Sequence, residues 1–293
     1  MPTVRTPLLK IAYEIGGPDD GEPLILLHGW PDDVRGWRRS AELLQANGWR
    51  TITPYLRGCG PTRFLTDKAP RDGRGVALAQ DAIDLADALG LRTFVVAGHD
   101  WGARAAYTLA ALFPERVTAI AGIALAYQPR GTFKVPTFPQ ARRLWYQWFM
   151  AVDGGASAVR ADPKGFARIQ WETLSPPGWF DEAEFDATAR SFENPDWTAI
   201  TVHGYRSRWL PEPVDPRYSA LRARLAEVET VSTPTLIVQG ASDLCDESAT
   251  SEQLDRSFIG PYRRILLDGV GHFLPREAPE VVAEVIDRHL RGA

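Results

Sequence analysis

One pentapeptide, Gly-His-Asp-Trp-Gly at residues 98–102, constrains the fold of this chain more than any other feature. It follows a continuous hydrophobic run at residues 93–97 and opens a helix-like segment at residues 103–113. Small residues on either side of the centre allow a strand to turn abruptly into a helix, because the two backbones can then approach closely. The central residue, Asp100, would be held in a strained conformation that only small neighbours permit. The alternative is that Asp100 serves only as the helix N-cap.

Strand-like and helix-like segments alternate on both sides of this pentapeptide. The predicted strands are short hydrophobic runs, as expected when both faces of a strand are buried. The helix predicted before the pentapeptide has apolar residues at intervals of three and four, with Asp81, Asp84 and Asp87 on another face. The strands lie at residues 24–27, 93–97, 235–238 and 264–267, and the helices at residues 76–89, 103–113 and 279–290. This alternation predicts an α/β fold with a mostly parallel sheet, covered by helices, and an active site at the carboxyl ends of the strands.

The alternation stops between residues 129 and 224. This stretch contains six of the ten tryptophans, scattered prolines and no convincing strand. We therefore interpret residues 129–224 as an inserted helical cap, and residues 1–128 and 225–293 as the two parts of the core. A cap rich in aromatic residues can enclose an apolar ligand above the strand ends. Its aromatic residues can also form the core of the cap itself, and the two interpretations are compatible.

Length and charge exclude several classes of protein. The 293 residues exceed a typical domain of about 100 to 200 residues, which fits one large domain with an insertion. The net charge of −4, from 33 Lys and Arg against 37 Asp and Glu, has the wrong sign for binding nucleic acid. The N-terminus lacks an apolar export signal, and no run approaches the ~20 apolar residues of a membrane span. We expect a soluble, cytoplasmic monomer or homodimer without a nucleic-acid or membrane partner.

A second turn, His-Gly-Trp-Pro at residues 28–31, follows the strand at residues 24–27. Its glycine lets the chain turn away from the sheet and leaves a backbone N–H directed towards the strand ends. The backbone N–H groups of Trp30 and Trp101 are therefore the two predicted donors of an oxyanion hole. The Trp30–Pro31 bond is a candidate for a cis peptide, which is favoured in tight turns. An ordinary loop is the alternative interpretation of this turn.

A histidine and an aspartate follow two later strands. His272 lies on a glycine-flanked loop after the strand at residues 264–267, where it can act as a base. Asp243 directly follows the strand at residues 235–238 and can orient that base, and Asp246 is a nearby alternative. The order of nucleophile, acid and histidine along the chain is the one found in α/β-hydrolases.

Together these strand-end features span most of the predicted core, and their combination is far more specific than any one of them. The chain resembles the α/β-hydrolase superfamily. With Asp as the central residue and Trp after it, the chain is similar to the branch of epoxide hydrolases and haloalkane dehalogenases. The resemblance implies an α/β-hydrolase fold in which Asp100 is the nucleophile, His272 is the base and Asp243 orients the base.

Two tyrosines in the predicted cap distinguish between the two branches. Soluble epoxide hydrolases carry two cap tyrosines that hold the epoxide oxygen, one in a Tyr-Gln context and one in a Tyr-Arg context. Here Tyr146 precedes Gln and Tyr205 precedes Arg. A phenol in an apolar pocket can protonate the alkoxide that forms when the ring opens. The resemblance therefore implies that Tyr146 and Tyr205 bind the substrate together with Trp30 and Trp101, although either tyrosine can instead serve only in packing.

The function that the resemblance implies is the opening of a small apolar epoxide by water to a vicinal diol. The main alternative is a haloalkane or haloacid dehalogenase with the same nucleophile, in which Trp101 and a second Trp or His would bind the halide. A third possibility is a catalytically silent protein that binds a small ligand under the cap. The set of Asp100, Asp243 and His272 argues against this last possibility. Burying three aligned ionisable groups has a desolvation cost, and it does not strengthen the binding of a small apolar ligand.

No motif in the sequence indicates a cofactor or a metal. The patterns GxGxxG, GxxxxGK[ST], HExxH and GxSxG are absent. Cys59 and Cys245 are too few for a disulfide framework and do not have metal-ligand spacing, so we expect both to be buried thiols. The predicted reaction needs only the substrate and water.

Overall fold

A nine-stranded sheet forms the centre of the protein in the computed structural model, which describes residues 1–291. The strands are β1 (Thr3–Arg5), β2 (Leu9–Gly16), β3 (Glu22–Leu27), β4 (Trp49–Pro54), β5 (Arg63–Phe64), β6 (Phe94–His99), β7 (Val117–Ile123), β8 (Thr235–Gly240) and β9 (Tyr262–Leu267). Their spatial order is β1-β2-β4-β3-β6-β7-β8-β9, and β5 pairs with β2 outside this path. Neighbouring strands are parallel along the series β4-β3-β6-β7-β8-β9, whereas β2 is antiparallel to β1, β4 and β5. The predicted mostly parallel sheet is confirmed.

Helices follow most of the strands. They are α1 (Arg38–Ala46), α2 (Gly75–Ala88), α3 (Trp101–Leu112), α4 (Phe138–Arg143), α5 (Trp145–Ala151), α6 (Asp153–Ala161), α7 (Pro163–Thr173), α8 (Glu182–Ala189), α9 (Trp197–Trp209), α10 (Ser219–Glu227), α11 (Leu274–Glu277) and α12 (Pro279–Leu290). The three helices expected from the sequence are α2, α3 and α12. Within residues 1–291, none of the helices combines the length and the apolar character needed to cross a bilayer.

Both faces of β3, β6, β7 and β8 are largely buried, which explains their hydrophobic sequences, whereas β9 at the edge of the sheet is partly exposed. In β3, Ile25 and Leu27 pack in a core cluster that contains side chains of α2 and α3. Leu24 and Leu26 pack in a second cluster that contains side chains of α1 and α12. Because successive side chains of a strand point to opposite faces, helices cover the sheet on both sides. Because β3, β6, β8 and β9 run parallel, their carboxyl ends lie along the same edge of the sheet.

The segment between β7 and β8 is a helical insertion, as the loss of alternation predicted. It contains α4 to α10, and its described residues form no strand. The last of these helices, α10, lies against the core, since Tyr218 and Leu225 share a cluster with Val76 and Leu112. The division into a cap at residues 129–224 and a core on either side of it stays a prediction.

One acidic residue of α2, Asp81, is buried against another segment of the chain. Asp81 is buried, and both of its carboxylate oxygens accept hydrogen bonds of 2.6 Å from Arg57. Arg57 also donates to the backbone oxygens of Asp72 and Ala77 and to the hydroxyl of Tyr218. The sequence did not predict this ion pair, because helical periodicity does not reveal a buried partner on another segment.

Replacing Asp81 with Ala is expected to lower the free energy of unfolding by about 3–5 kcal/mol, because Arg57 is left as an uncompensated buried charge. Urea unfolding followed by circular dichroism measures this loss. The matched control is Asp87→Ala on the same helix, which removes an exposed partner of Arg116 and should cost about 0–1 kcal/mol. Equal, small losses in the two variants would contradict a structural role for the buried pair.

Candidate active site

Asp100 lies at the turn between β6 and α3. Its φ of +48° is a conformation that residues other than glycine rarely adopt. A Cβ atom on Gly98 would lie 2.1 Å from the backbone oxygen of Gly102, and a Cβ on Gly102 would lie 2.1 Å from that of Leu27. The two glycines are therefore required by close backbone approach, as the pentapeptide predicted. The carboxylate of Asp100 makes no capping hydrogen bond to α3, so the N-cap alternative is wrong.

The turn after β3 holds the carboxylate of Asp100. The backbone N–H of Trp30 donates a hydrogen bond of 2.8 Å to Oδ1 of Asp100. Gly29 is again required by space, because a Cβ there would lie 2.7 Å from Cβ of Asp100. The Trp30–Pro31 peptide bond is cis. Trp101 is the first residue of α3, and its backbone N–H has no helical acceptor because the first N–H groups of a helix lack one.

Asp243 and His272 form a fixed pair at the ends of β8 and β9. Nδ1 of His272 lies 2.9 Å from Oδ2 of Asp243, and both side chains are buried. The other oxygen of Asp243 accepts from the backbone N–H groups of Cys245 and Asp246 at 2.6 and 3.0 Å. The carboxylate of Asp246 instead accepts from the backbone N–H of Ala126 at 2.9 Å. The structure therefore brings Asp243, rather than Asp246, to the histidine.

The opposite ring nitrogen of His272 faces Asp100. Its Nε2 lies 3.7 Å from Oδ2 of Asp100 and has no hydrogen-bond partner among the described residues. Burial alone would lower the pKa of His272, but the neighbouring carboxylates, Asp243 first and then Asp100, raise it well above its usual value. Burial alone would likewise raise the pKa of Asp100, but His272 and the charge of Arg104 lower it to about 2. Both shifts favour the charged forms, the imidazolium of His272 and the carboxylate of Asp100.

Two other buried histidines bind backbone groups near the site. Nε2 of His99 donates to the backbone oxygen of His272 at 2.8 Å, and burial lowers the pKa of His99 to about 4. Nε2 of His28 accepts from the backbone N–H of Leu56 at 3.1 Å. Both side chains hold loops in place, and neither is directed at Asp100.

Tyr146 of α5 and Tyr205 of α9 lie together above the strand ends. Both are almost fully buried, and their ring centroids are 5.4 Å apart. Trp30 stacks on Tyr146 at 5.6 Å and meets Tyr205 edge-on at 4.9 Å. Burial raises the pKa of both phenols well above the usual value, and the negative charge of Asp100 adds to this effect. Both hydroxyls are therefore protonated at neutral pH and can donate hydrogen bonds.

The sequence did not predict that Ser175, Cys245 and Arg104 lie at this site. Oγ of Ser175 accepts from the backbone N–H of His272 at 2.7 Å, and the thiol of Cys245 lies 3.5 Å from the hydroxyl of Tyr146. Cys245 is a buried free thiol, as expected, and burial raises its pKa to about 12. No local pattern marks Ser175. The third residue, Arg104, did have a signal, since it follows Asp100 by four positions and so lies one helical turn away.

Replacing Asp100 with Asn is expected to lower the pKa of His272, because a negative charge that stabilises the imidazolium is lost. Proton NMR titration of the histidine ring signals measures this pKa. Asp87→Asn removes the same charge far from the site, on the outer face of α2, and should leave the His272 titration unchanged. An equal His272 pKa in the wild-type protein and in Asp100→Asn would contradict the coupling.

Comparisons with known proteins agree with this architecture. A family model described as alpha/beta hydrolase fold matches residues 22–279. Epoxide hydrolase A of Mycobacterium tuberculosis is 27% identical over 95% of this chain and 93% of its own length. An epoxide hydrolase of Caballeronia sordidicola is also 27% identical, over 92% of this chain and 88% of its own. The crystal structure of a candidate epoxide hydrolase from Klebsiella pneumoniae superposes with a TM-score of 0.93 and 37% identity, covering 98% of this chain and 96% of that one.

The chain therefore belongs to the α/β-hydrolase fold family, since the family model covers most of its length. Within this family it is an epoxide hydrolase-like enzyme, because the three relatives described above match it over nearly its whole length and carry that name. Both conclusions agree with the resemblance stated from the sequence.

Proposed function

We propose that this enzyme is an epoxide hydrolase in which Asp100 forms a covalent ester with the substrate. The observation that carries the proposal is the position of Trp30. Its backbone N–H binds Asp100, and its ring packs against both Tyr146 and Tyr205. The carboxylate of Asp100 and the two protonated phenols are thus brought together around Trp30. This arrangement suits an epoxide, which has an electrophilic carbon and an oxygen that needs a proton.

In the proposed first half-reaction, an oxygen of Asp100 attacks an oxirane carbon and the bond from that carbon to the ring oxygen breaks. The ring oxygen takes a proton from Tyr146 or Tyr205, which leaves a hydroxyalkyl ester and a phenolate. An alkoxide is a stronger base than a phenolate, so this proton transfer is favourable even from a phenol with a raised pKa. Asp100 is ready to react because its low pKa keeps it ionised.

Esterification also prepares the base. It removes the negative charge of Asp100, which is one cause of the raised pKa of His272. The imidazolium can then give its proton to restore the phenol, and His272 becomes neutral. The site needs no other proton donor or acceptor to pass from the first half-reaction to the second.

In the proposed second half-reaction, His272, oriented by Asp243, takes a proton from water while the water oxygen attacks the ester carbonyl. The backbone N–H groups of Trp30 and Trp101 stabilise the resulting oxyanion. Collapse of this intermediate expels the alkoxide, which takes the proton of the newly formed carboxylic acid. The diol leaves, and Asp100 and His272 return to their starting charges.

A second candidate function, dehalogenation, rests on the indole of Trp101. Its Nε1 is buried without a hydrogen-bond partner among the described residues, so it could bind a departing halide. The indole of Trp30, however, already donates to the hydroxyl of Thr201 at 3.0 Å. A halide would then have one free indole donor instead of two. Epoxide opening is favoured because it uses both tyrosines.

Product identification separates the candidate functions. The purified enzyme is incubated with epoxides and bromoalkanes of matched size, styrene oxide and 1-bromobutane among them, and assayed for diol and for bromide. Formation of diol supports the proposal, whereas release of bromide without diol favours the dehalogenase. Neither product from any compound would favour a silent binding protein.

A further inference from the structure

A cavity of about 490 Å³ lies next to the candidate active site, between α3 of the core and α9 and α10 of the insertion. Trp101 and Gly204 line it, and these are the chain neighbours of Asp100 and Tyr205. The two walls approach closely, because a Cβ atom on Gly204 would lie 2.6 Å from the ring of Trp101. The cavity therefore lies beside the turn that holds Asp100 and beside the helix that holds Tyr205, although neither of these two side chains lines it.

The lining of this cavity has an unusual charge. It includes five arginines and neither aspartate nor glutamate among the described residues. The arginines are Arg74, Arg104, Arg130, Arg208 and Arg222. Arg74 pairs with Asp72 at 2.9 Å and Arg130 pairs with Glu229 at 3.0 Å. No carboxylate within residues 1–291 forms an ion pair with the other three, so the cavity carries uncompensated positive charge.

Arg104 of α3 and Arg208 of α9 line this cavity from the core and from the insertion, respectively. The buried Nε of Arg104 has no hydrogen-bond partner among the described residues. The guanidinium of Arg208 packs over the ring of Phe133 at 4.1 Å. Burial and then the charge of Arg104 lower the pKa of Arg208 to about 9, which still leaves it charged at neutral pH. Both arginines are only partly buried, and the repulsion between two like charges at one cavity is relieved when an anion binds between them.

The positions of these arginines also relate them to the reacting groups. Arg104 lies near enough to Asp100 for its charge to lower the pKa of that carboxyl. Arg208 lies within electrostatic range of Tyr205 and Tyr146. An anionic group bound between the two arginines would therefore lie near the reacting groups.

We propose that the natural substrate is an epoxide that carries a carboxylate, and that Arg104 and Arg208 bind this carboxylate while the oxirane lies between Asp100 and the two tyrosines. This inference rests on the proposed epoxide hydrolase function and names its substrate class. A carboxylate fits because guanidinium groups bind its two oxygens through paired, charge-assisted hydrogen bonds. This substrate class differs from the small apolar epoxide expected from the sequence, which stays a prediction.

The first experiment compares acids with amides of the same shape. Terminal epoxy acids from 3,4-epoxybutanoate to 7,8-epoxyoctanoate are assayed beside their primary amides, so that chain length is not chosen in advance. For the best chain length, kcat/KM is expected to be at least about tenfold higher for the acid, since hydrogen bonds to charged groups are the strong ones. Equal values of kcat/KM at every length would overturn the inference.

Variants then show whether the arginines cause the preference. Arg104→Met and Arg208→Met should each reduce the ratio of acid to amide kcat/KM towards one. This ratio is independent of general losses in activity or folded fraction, because both substrates are assayed on the same preparation. Arg160→Met is the matched control, since Arg160 is exposed on α6 and does not line the cavity. A preference that survives in both cavity variants would overturn the assignment to these residues.

Binding without reaction separates this inference from the proposed function. Hexanoate and hexanamide are titrated into the wild-type enzyme and Arg208→Met by calorimetry, and only hexanoate with wild-type enzyme should bind measurably. Such binding without turnover of any epoxide would keep the anion site and overturn the epoxide hydrolase function. Turnover of bromo acids but not of epoxy acids would also keep the anion site and overturn the epoxide hydrolase function, and it would favour the dehalogenase. Epoxide turnover with no hexanoate binding and no preference for acids would overturn the anion site alone.

Discussion

Replacing His272 with Gln is expected to trap the enzyme as a covalent ester. The attack by Asp100 does not need a base, whereas hydrolysis of the ester does, so substrate should add to the protein while turnover collapses by about 10²- to 10⁴-fold. Intact-mass spectrometry under single-turnover conditions measures the adduct, and peptide mapping locates it on Asp100. An inactive His272→Gln enzyme with no adduct would contradict the assignment of the attack to Asp100 alone and of ester hydrolysis to His272.

The control for this experiment is Asp100→Asn, which should give neither adduct nor turnover. An amide is a much weaker nucleophile than a carboxylate, and its size keeps the turn after β6 unchanged. The assay uses freshly purified protein, because deamidation of the new Asn would restore the carboxylate. Activity that persists in fresh Asp100→Asn would exclude Asp100 as the nucleophile.

Removing both cap phenols is expected to nearly abolish ring opening. The departing epoxide oxygen develops negative charge, so Tyr146→Phe and Tyr205→Phe should each slow alkylation by about 10²-fold or more, with a larger loss in the double variant. The measurement is the pre-steady-state rate of ester formation, with circular dichroism to verify folding. Tyr262→Phe is the matched control, because Tyr262 stacks on Phe258 of the core, away from the site.

The same experiment distinguishes the two branches of the family. A halide leaves without a proton, so a dehalogenase would tolerate loss of both hydroxyls and would depend on the indole of Trp101 instead. Alkylation at the wild-type rate in the double Phe variant would contradict the roles of Tyr146 and Tyr205. His203, a conceivable replacement donor in α9, accepts from the backbone N–H of Gly73 at 3.1 Å and is already engaged there.

The sequence predicted those parts of the fold and site that depend on neighbouring residues. The glycines around Asp100 and the glycine before Trp30 are required by contacts at single turns, and such turns have local signatures. The short hydrophobic runs predicted four of the six parallel strands, β3, β6, β8 and β9, whereas β4 and β7 were not predicted. Once the strands were known, the common edge at which Asp100, Asp243 and His272 meet followed from the direction of the chain.

The features that the sequence did not predict arise from contacts between distant segments. The burial of Asp81 depends on Arg57, and the loop of His272 is fixed by Ser175 from the insertion. The basic cavity joins Arg104 of α3 to Arg208 of α9, which are far apart along the chain. Hydrophobic periodicity describes one element at a time, so it contains no information about which polar side chains meet between elements.

A single turnover in oxygen-18-labelled water tests the covalent ester most directly. The enzyme is used in excess over an epoxide that it converts, and the diol and the peptide containing Asp100 are analysed by mass spectrometry. The ester mechanism predicts that the diol contains no label, because its new oxygen comes from Asp100, and that oxygen-18 appears in the carboxylate of Asp100. Label in the diol with none in Asp100 would show direct attack by water on the epoxide and would contradict the account.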